Sequence, residues 1–229
     1  MQPFSDLNAI LQDGYSFTQD KSQGIFRVPK LVTMSIHQAG ELILSSGKII
    51  VCDPLIGIDL RYHLKKTIKP GCYPVQLSVA DFQPNSDPRI ACAMVRFTDE
   101  ATVKWEVATI TDPNPNQKEE MICYGVDAGT GCFIDWDAAQ TIEDQFSELE
   151  EFEGFCDQII TTMEKNSVGK HVTGGWANVR VNEATGANII AFSSGWGDGG
   201  YASFWGYDAS GNITSLVTDF DLFSTDEAQ

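Results

Sequence analysis

Two glycine turns and a scatter of aspartates are the residues of this sequence whose types and spacing could do chemistry. The first run is Gly125-Val126-Asp127-Ala128-Gly129-Thr130-Gly131-Cys132. The second is Ser193-Ser194-Gly195-Trp196-Gly197-Asp198-Gly199-Gly200-Tyr201. Each sets an aspartate among glycines beside an apolar, strand-like run. Glycine lets a backbone approach a ligand closely, an indole can stack on it, and a carboxylate accepts hydrogen bonds or ligates a cation. Asp127, Gly129, Thr130, Trp196, Asp198 and Tyr201 are therefore the expected ligand-binding residues, with both turns meeting at one end of a sheet to line one pocket. Asp53, Asp127, Asp135 and Asp198 are the candidate metal ligands. Converging carboxylates suit a hard cation, Mg²⁺ or Ca²⁺, the only cofactor the pattern suggests. Asp127 and Asp135 flank a turn, so a hairpin would bring them towards each other. The competing readings are local: an Asx turn at Asp127, a helix cap at Asp137, and tight-turn geometry at Gly129 and Gly131.

No nucleophile motif accompanies these turns. The sequence has no G-x-S-x-G elbow, no H-E-x-x-H and no P-loop. His37, His63 and His171 lie far apart and show no zinc-ligand spacing. The six cysteines form no C-x-x-C pair, and Cys52, Cys92 and Cys123 sit in apolar runs, so reduced, mostly buried thiols are expected. The Gly125–Cys132 run is similar to the phosphate-binding turn of sugar kinases of the actin-like ATPase superfamily. The α/β pattern that such a kinase requires after the turn is missing here, since a helix and four strands follow.

The elements that must position these residues are mostly strands. Residues 3–12 predict a short amphipathic helix. Short β-favouring runs follow at 25–28, 31–37, 41–44 and 48–52, with Ser45-Ser46-Gly47 read as a hairpin turn. Residues 57–69 predict a second short helix, on which Leu60, Leu64 and Ile68 share a face. Strands resume at 73–79, 88–98 and 102–109, and 111–118, with two prolines, is a loop. Strands at 121–126 and 132–134 flank the first glycine turn. Residues 137–165 carry the apolar stripe of one long amphipathic helix, with Gly154 the expected point of weakness. Strands at 177–181, 187–192, 201–207 and 213–220 complete the chain, the last two joined by the turn at 208–212. Strands mostly follow strands, which predicts a mainly β or α+β protein with largely antiparallel sheets, one long helix and one or two short ones. The expected organisation is a single compact domain over 1–229.

Charge narrows the partners. The 229 residues carry 32 acidic and 15 basic side chains, a net of −17. That field repels phosphate backbones and anionic lipid, so nucleic acid and membranes are excluded as partners. Eight acids lie between residues 143 and 164 of the predicted helix, a solvated face or a dock for a basic protein partner. Arg61, Lys65, Lys66 and Lys69 form the one basic island, read either as compensation at a helix C-terminus or as an anion site. The N-terminus lacks a basic region followed by an apolar one, so no export signal and a cytoplasmic location are expected.

Taken in order, Gly47–Pro54, Pro70–Val75, Gly125–Asp135, Ser194–Tyr201 and Leu216–Phe220 resemble one bacterial family known only as a domain of unknown function, numbered 4241. The resemblance implies a family-like core over 47–220, preceded by an N-terminal helix and strands over 1–46, and it implies no activity. It adds Asp219 to the acids worth testing. Two functions remain open at this point. One is a soluble, non-enzymatic module, regulatory or toxin-neutralising, that binds a small ligand or a protein. The other is a divalent-cation-dependent hydrolase or phosphotransferase with an aspartate-lined site.

Overall fold

Apolar alternation along the strands is resolved by two antiparallel sheets packed face to face. The computed structural model describes residues 2–3, 5–23, 26–111, 121–146, 148–167 and 175–223. After α1 (Leu7–Ile10), the strands in chain order are β1 (Ser16–Gln23), β2 (Phe26–Leu44), β3 (Ile49–Cys52), β4 (Gly71–Phe82), β5 (Asp87–Arg96), β6 (Lys104–Val107), β7 (Cys123–Val126) and β8 (Thr130–Asp135). Helices α2 (Trp136–Gln145) and α3 (Leu149–Lys165) precede β9 (Trp176–Arg180), β10 (Asn188–Ser193), β11 (Gly199–Tyr207) and β12 (Ile213–Asp219). The larger sheet runs β1-β2-β4-β5-β12-β11-β6, with β7 also pairing β11; the smaller runs β3-β8-β10-β9. Every pairing is antiparallel. The protein is thus mainly β. Among the described residues, no helix is long and apolar enough to cross a membrane.

The central core lies between the sheets. Leu42, Val75, Leu77, Val95, Trp205 and Leu216 of the larger sheet meet Ile49, Val51, Phe133, Ile190 and Phe192 of the smaller. On the smaller sheet's other face, Cys132, Ile134, Ile189 and Ala191 pack under Ala138, Ile142, Phe155, Ile159 and Met163 of the helices. Covered on both faces, β8 and β10 are buried at every position and so read as continuous apolar runs. Each fully buried aliphatic or aromatic side chain there contributes about 1.5–3 kcal/mol. A third cluster, including Leu7, Ile10, Phe82, Phe204 and Leu222, covers the outer face of the larger sheet.

Several expectations need correction. The 137–165 helix is two helices, broken between Gln145 and Leu149. Phe146 leaves helical geometry and stacks on Phe155, ring centroids 5.0 Å apart, so tertiary packing sets the break; Gly154 sits within α3. Residues 57–69 form no helix. The Asp59 carboxylate takes the Arg61 amide and guanidinium, a local alternative to helical hydrogen bonding, while His63 bridges to Ile50 and Leu64 to Ile110. Leu60 then packs in the helix layer and Leu64 in the inter-sheet core, so no common face exists. The basic island is dispersed with it. Arg61 pairs with Asp59, and Lys66 reaches Tyr207 and Glu106, whose carboxyl is held down to about 2 by Lys104, Tyr207 and Lys66. Finally, the 45–47 turn is no hairpin: it carries the chain from β2 in the larger sheet to β3 in the smaller. The helix expected at 3–12 is the single turn Leu7–Ile10, capped by the Asp6 side chain. Most of the 111–118 loop, like His171 and Ile25, lies outside the described residues.

Buried Asp219 gives a pH-dependent signature. Its carboxylate accepts hydrogen bonds from Ser5 N and Oγ and from Asp221 N, and burial pushes its pKa above the ordinary carboxylate value. A raised pKa means the folded state binds the proton more tightly. The associated stability is present below the unfolded pKa of about 3.9 and is lost as pH rises through the folded value. Melting curves of wild type and Asp219→Asn across mildly acidic to neutral pH should show the variant gaining on wild type as pH rises.

Candidate functional site

Both glycine turns are crossings between sheets, and that is why they meet. β7 pairs with β11 in the larger sheet, Val126 opposite Gly199. β8 pairs with β10 in the smaller, Thr130 opposite Ser193. The connections 127–129 and 194–198 therefore leave one pair of neighbouring strands and enter another, side by side. Ser194 N donates to Gly129 O at 3.0 Å, and a β-carbon on Gly129 would lie 3.8 Å from Gly197 Cα. Gly129 (φ +64°) and Gly195 (φ +54°) hold left-handed backbone. At Gly195 a β-carbon would also come within 2.6 Å of Leu222 Cδ1. Gly131 has no such φ; its lack of a side chain makes room for the Tyr124 hydroxyl and the Phe192 ring.

Between the turns lies a cleft of about 350 Å³. One wall is Ala128, Gly129 and Thr130; the opposite wall is Ser193 to Gly197; Leu55, Ile160 and Met163 supply apolar surface. Trp196 stands 46% exposed at its edge. The Arg89 guanidinium lies over the indole, 4.2 Å from the ring centroid, and is tied down by Asp87 at 3.1 Å and by Gly195 O at 3.1 Å. The serine hydroxyls are engaged: Ser194 Oγ donates to Gly197 O and Ser193 Oγ to Gly175 O.

Of the expected binding residues, Gly129, Thr130 and Trp196 line this cleft. Tyr201 is buried behind it, donating its hydroxyl to Gly197 O and Ser194 O, so it braces the turn; burial, aided by Asp221 and Asp198, raises its pKa. Asp127 and Asp198 are exposed and line no part of this cleft, Asp127 instead bordering a second one. Asp127→Asn and Asp198→Asn should each shift stability by about 1 kcal/mol or less, a few degrees in melting temperature. Neither should change binding in the first cleft.

The four aspartates do not assemble as a carboxylate cluster. Asp53 is buried, and its carboxylate accepts from Asp127 N at 3.1 Å, Ala128 N at 2.6 Å and Leu55 N at 3.1 Å, so it anchors the first turn. Asp135 is fully buried at the other end of β8. It takes Ser45 Oγ, Ser46 N and Oγ, Gly47 N and the Asp137 amide, capping α2 and pinning the β2–β3 crossing. The expected approach of Asp127 to Asp135 across a hairpin fails because their strands belong to different sheets. Among the described residues, no three His, Cys, Asp or Glu side chains gather so as to hold a metal ion.

Sequence reasoning missed Arg89, Leu55, Ile160 and Met163 as parts of this site. Ile160 and Met163 were legible only as members of an apolar helical stripe, and Arg89 only as a residue of a strand. Their convergence depends on β5 and α3 flanking the same sheet crossing, which no local pattern encodes.

Neither the curated proteins nor the solved structures include a match to this chain. The family model described as "Protein of unknown function (DUF4241)" matches residues 42–218, which take in β3 to β11, both glycine turns and all of β12 but its last residue. With most of its length covered by that model, the chain belongs to the DUF4241 family.

Proposed function

We propose that this protein is a non-enzymatic ligand-binding module whose site is the cleft between the two glycine turns. The ligand class is a small, flat, largely apolar molecule without negative charge. The observation that carries the reading is the cleft itself: about 350 Å³, walled by backbone and aliphatic side chains, with a half-exposed indole at its edge. That volume falls within the range of about 300–1,000 Å³ of small-molecule sites. Trp196 offers an aromatic surface at the edge, and Arg89, which also lines the cleft, lies over the indole while its own charge is offset by Asp87. The net charge of −17 disfavours anionic ligands. Among the described residues, the lining includes no His, Cys, Asp or Glu, and its serine hydroxyls donate to backbone carbonyls. A nucleophile beside a base, the minimum for covalent or acid–base catalysis, is therefore lacking from the lining, which favours binding over turnover.

The neutral fluorophore N-phenyl-1-naphthylamine is a suitable probe, since its emission rises on entering apolar surroundings. Wild type should show a saturable gain. Trp196→Ala removes the stacking face and should weaken the probe by tenfold or more, about 1.4 kcal/mol. Ile160→Glu places a charge on the exposed apolar wall and should do the same. A wild-type gain unaffected by both substitutions, or no gain at all, would overturn the reading.

A further inference from the structure

A second cleft, also about 350 Å³, opens on the other side of the first glycine turn. Asp53, Asp59 and Asp127 border it, and Cys52 is among its lining residues with Val51, Ile56 and Tyr124. Cys52 is partly exposed; the residue paired with it across the β3–β8 ladder is Cys132, which is fully buried. Their sulfurs stand 3.6 Å apart, both as free thiols. Directly opposed residues of an antiparallel pair have Cα atoms about 4.5 or 5.5 Å apart, and both spacings lie inside the range of about 4.4–6.8 Å that a disulfide spans. A bond would need only the two side chains to turn and close.

The geometry points to a modification site: Cys52 and Cys132 are a dithiol that a neutral hydroperoxide, entering by the second cleft, converts to a disulfide. The roles follow from exposure. Cys52 meets the oxidant, and Cys132, sealed beneath, resolves the product. The Cys52 thiol first loses its proton to solvent. Its sulfur attacks one peroxide oxygen, the O–O bond breaks, and the departing hydroxide takes up a proton to leave as water, with Cys52 as sulfenic acid. The Cys132 sulfur then attacks Cys52 Sγ, the S–O bond breaks, and the hydroxide released takes the Cys132 proton as a second water. The two thiols lose two electrons, and the peroxide gains them. Proximity makes the second step intramolecular, ahead of further oxidation by another peroxide. Asp53 and Asp127 set the oxidant's class, Asp59 being paired with Arg61. They repel anionic oxidants such as glutathione disulfide and leave hydrogen peroxide unaffected.

Other pairings are open to the same chemistry and make the test decisive. Cys123 borders the second cleft, and Cys156 lies against Leu55 O nearby. Exposed Cys72, remote in sequence from both, reports that the oxidant was active. The folded full-length protein is treated with hydrogen peroxide, its remaining thiols are alkylated under denaturing conditions, and the non-reduced digest is mapped by mass spectrometry. The expected product is a Cys52–Cys132 cross-linked peptide, lighter by two hydrogens than the two free peptides together and abolished by reductant. Glutathione disulfide at the same concentration should give at least tenfold less of it. In Cys132→Ser, Cys52 should persist as a sulfenic acid trapped by dimedone, and the wild-type map stands alone if that variant does not fold. A bridge from Cys52 to Cys123 or Cys156, or an unmodified Cys52 once Cys72 is oxidised, would overturn the proposal.

Discussion

Asp135→Ala is expected to cost about 3–5 kcal/mol of folding stability, enough to leave a domain of ordinary stability largely unfolded. The carboxylate is fully buried and collects donors from two places: the β2–β3 crossing at Ser45, Ser46 and Gly47, and the start of α2 at Asp137. Truncation leaves several of these donors unpaired, at about 1–3 kcal/mol for each that stays buried. It also removes the cap of α2, worth about 1 kcal/mol alone. Asp135→Asn should fall between wild type and alanine, because its amide keeps one acceptor but turns two N–H bonds towards groups that are themselves donors. Chemical denaturation of the three proteins checks the order. Stability of Asp135→Ala within about 1 kcal/mol of wild type would show that the crossing is held by something else.

Asp53→Ala has a different expected consequence, because Asp53 acts on the site. Its carboxylate holds the Asp127 and Ala128 amides, and Ala128 is the first residue of the cleft wall. Losing these charge-assisted bonds should cost about 2–4 kcal/mol and release the 127–129 turn. Probe affinity should then fall by more than the loss of folded protein explains. Measuring affinity well below the variant's melting temperature separates the two effects. Unchanged affinity at full folding would mean that the turn keeps its shape without Asp53.

How much of this was legible in the sequence depends on the range of the interaction responsible. The strands were legible because period-two alternation and glycine or proline punctuation are local. The 208–212 turn was legible as a hairpin for the same reason: the Asp208 side chain takes the Ser210 and Asn212 amides within five residues. The division of strands between two sheets was not. A glycine turn between antiparallel neighbours and one that crosses from sheet to sheet have the same composition, so 45–47 and the first glycine run carry the local pattern of hairpins. The break at Phe146 carries no glycine or proline, and the glycine that sequence singled out, Gly154, lies in open space on a continuous helix. Of the candidate site, Gly129, Thr130 and Trp196 were found from the turns, whereas the aspartates beside them were credited with ligand chemistry. The structure instead uses the buried ones, Asp53 and Asp135, to hold backbone amides.

The most direct test of the binding reading is a residue-resolved one. In ¹H–¹⁵N correlation spectra of the labelled protein titrated with N-phenyl-1-naphthylamine, the largest shifts should fall on the amides of Ala128, Gly129, Thr130, Gly195, Trp196 and Gly197 and on the Trp196 indole. These residues come from two segments that only the paired sheet crossings bring together. Joint, saturable shifts in both segments with a single dissociation constant are the predicted result. Shifts confined to one segment, or centred on the Asp53–Asp59 side of the turn, would contradict it.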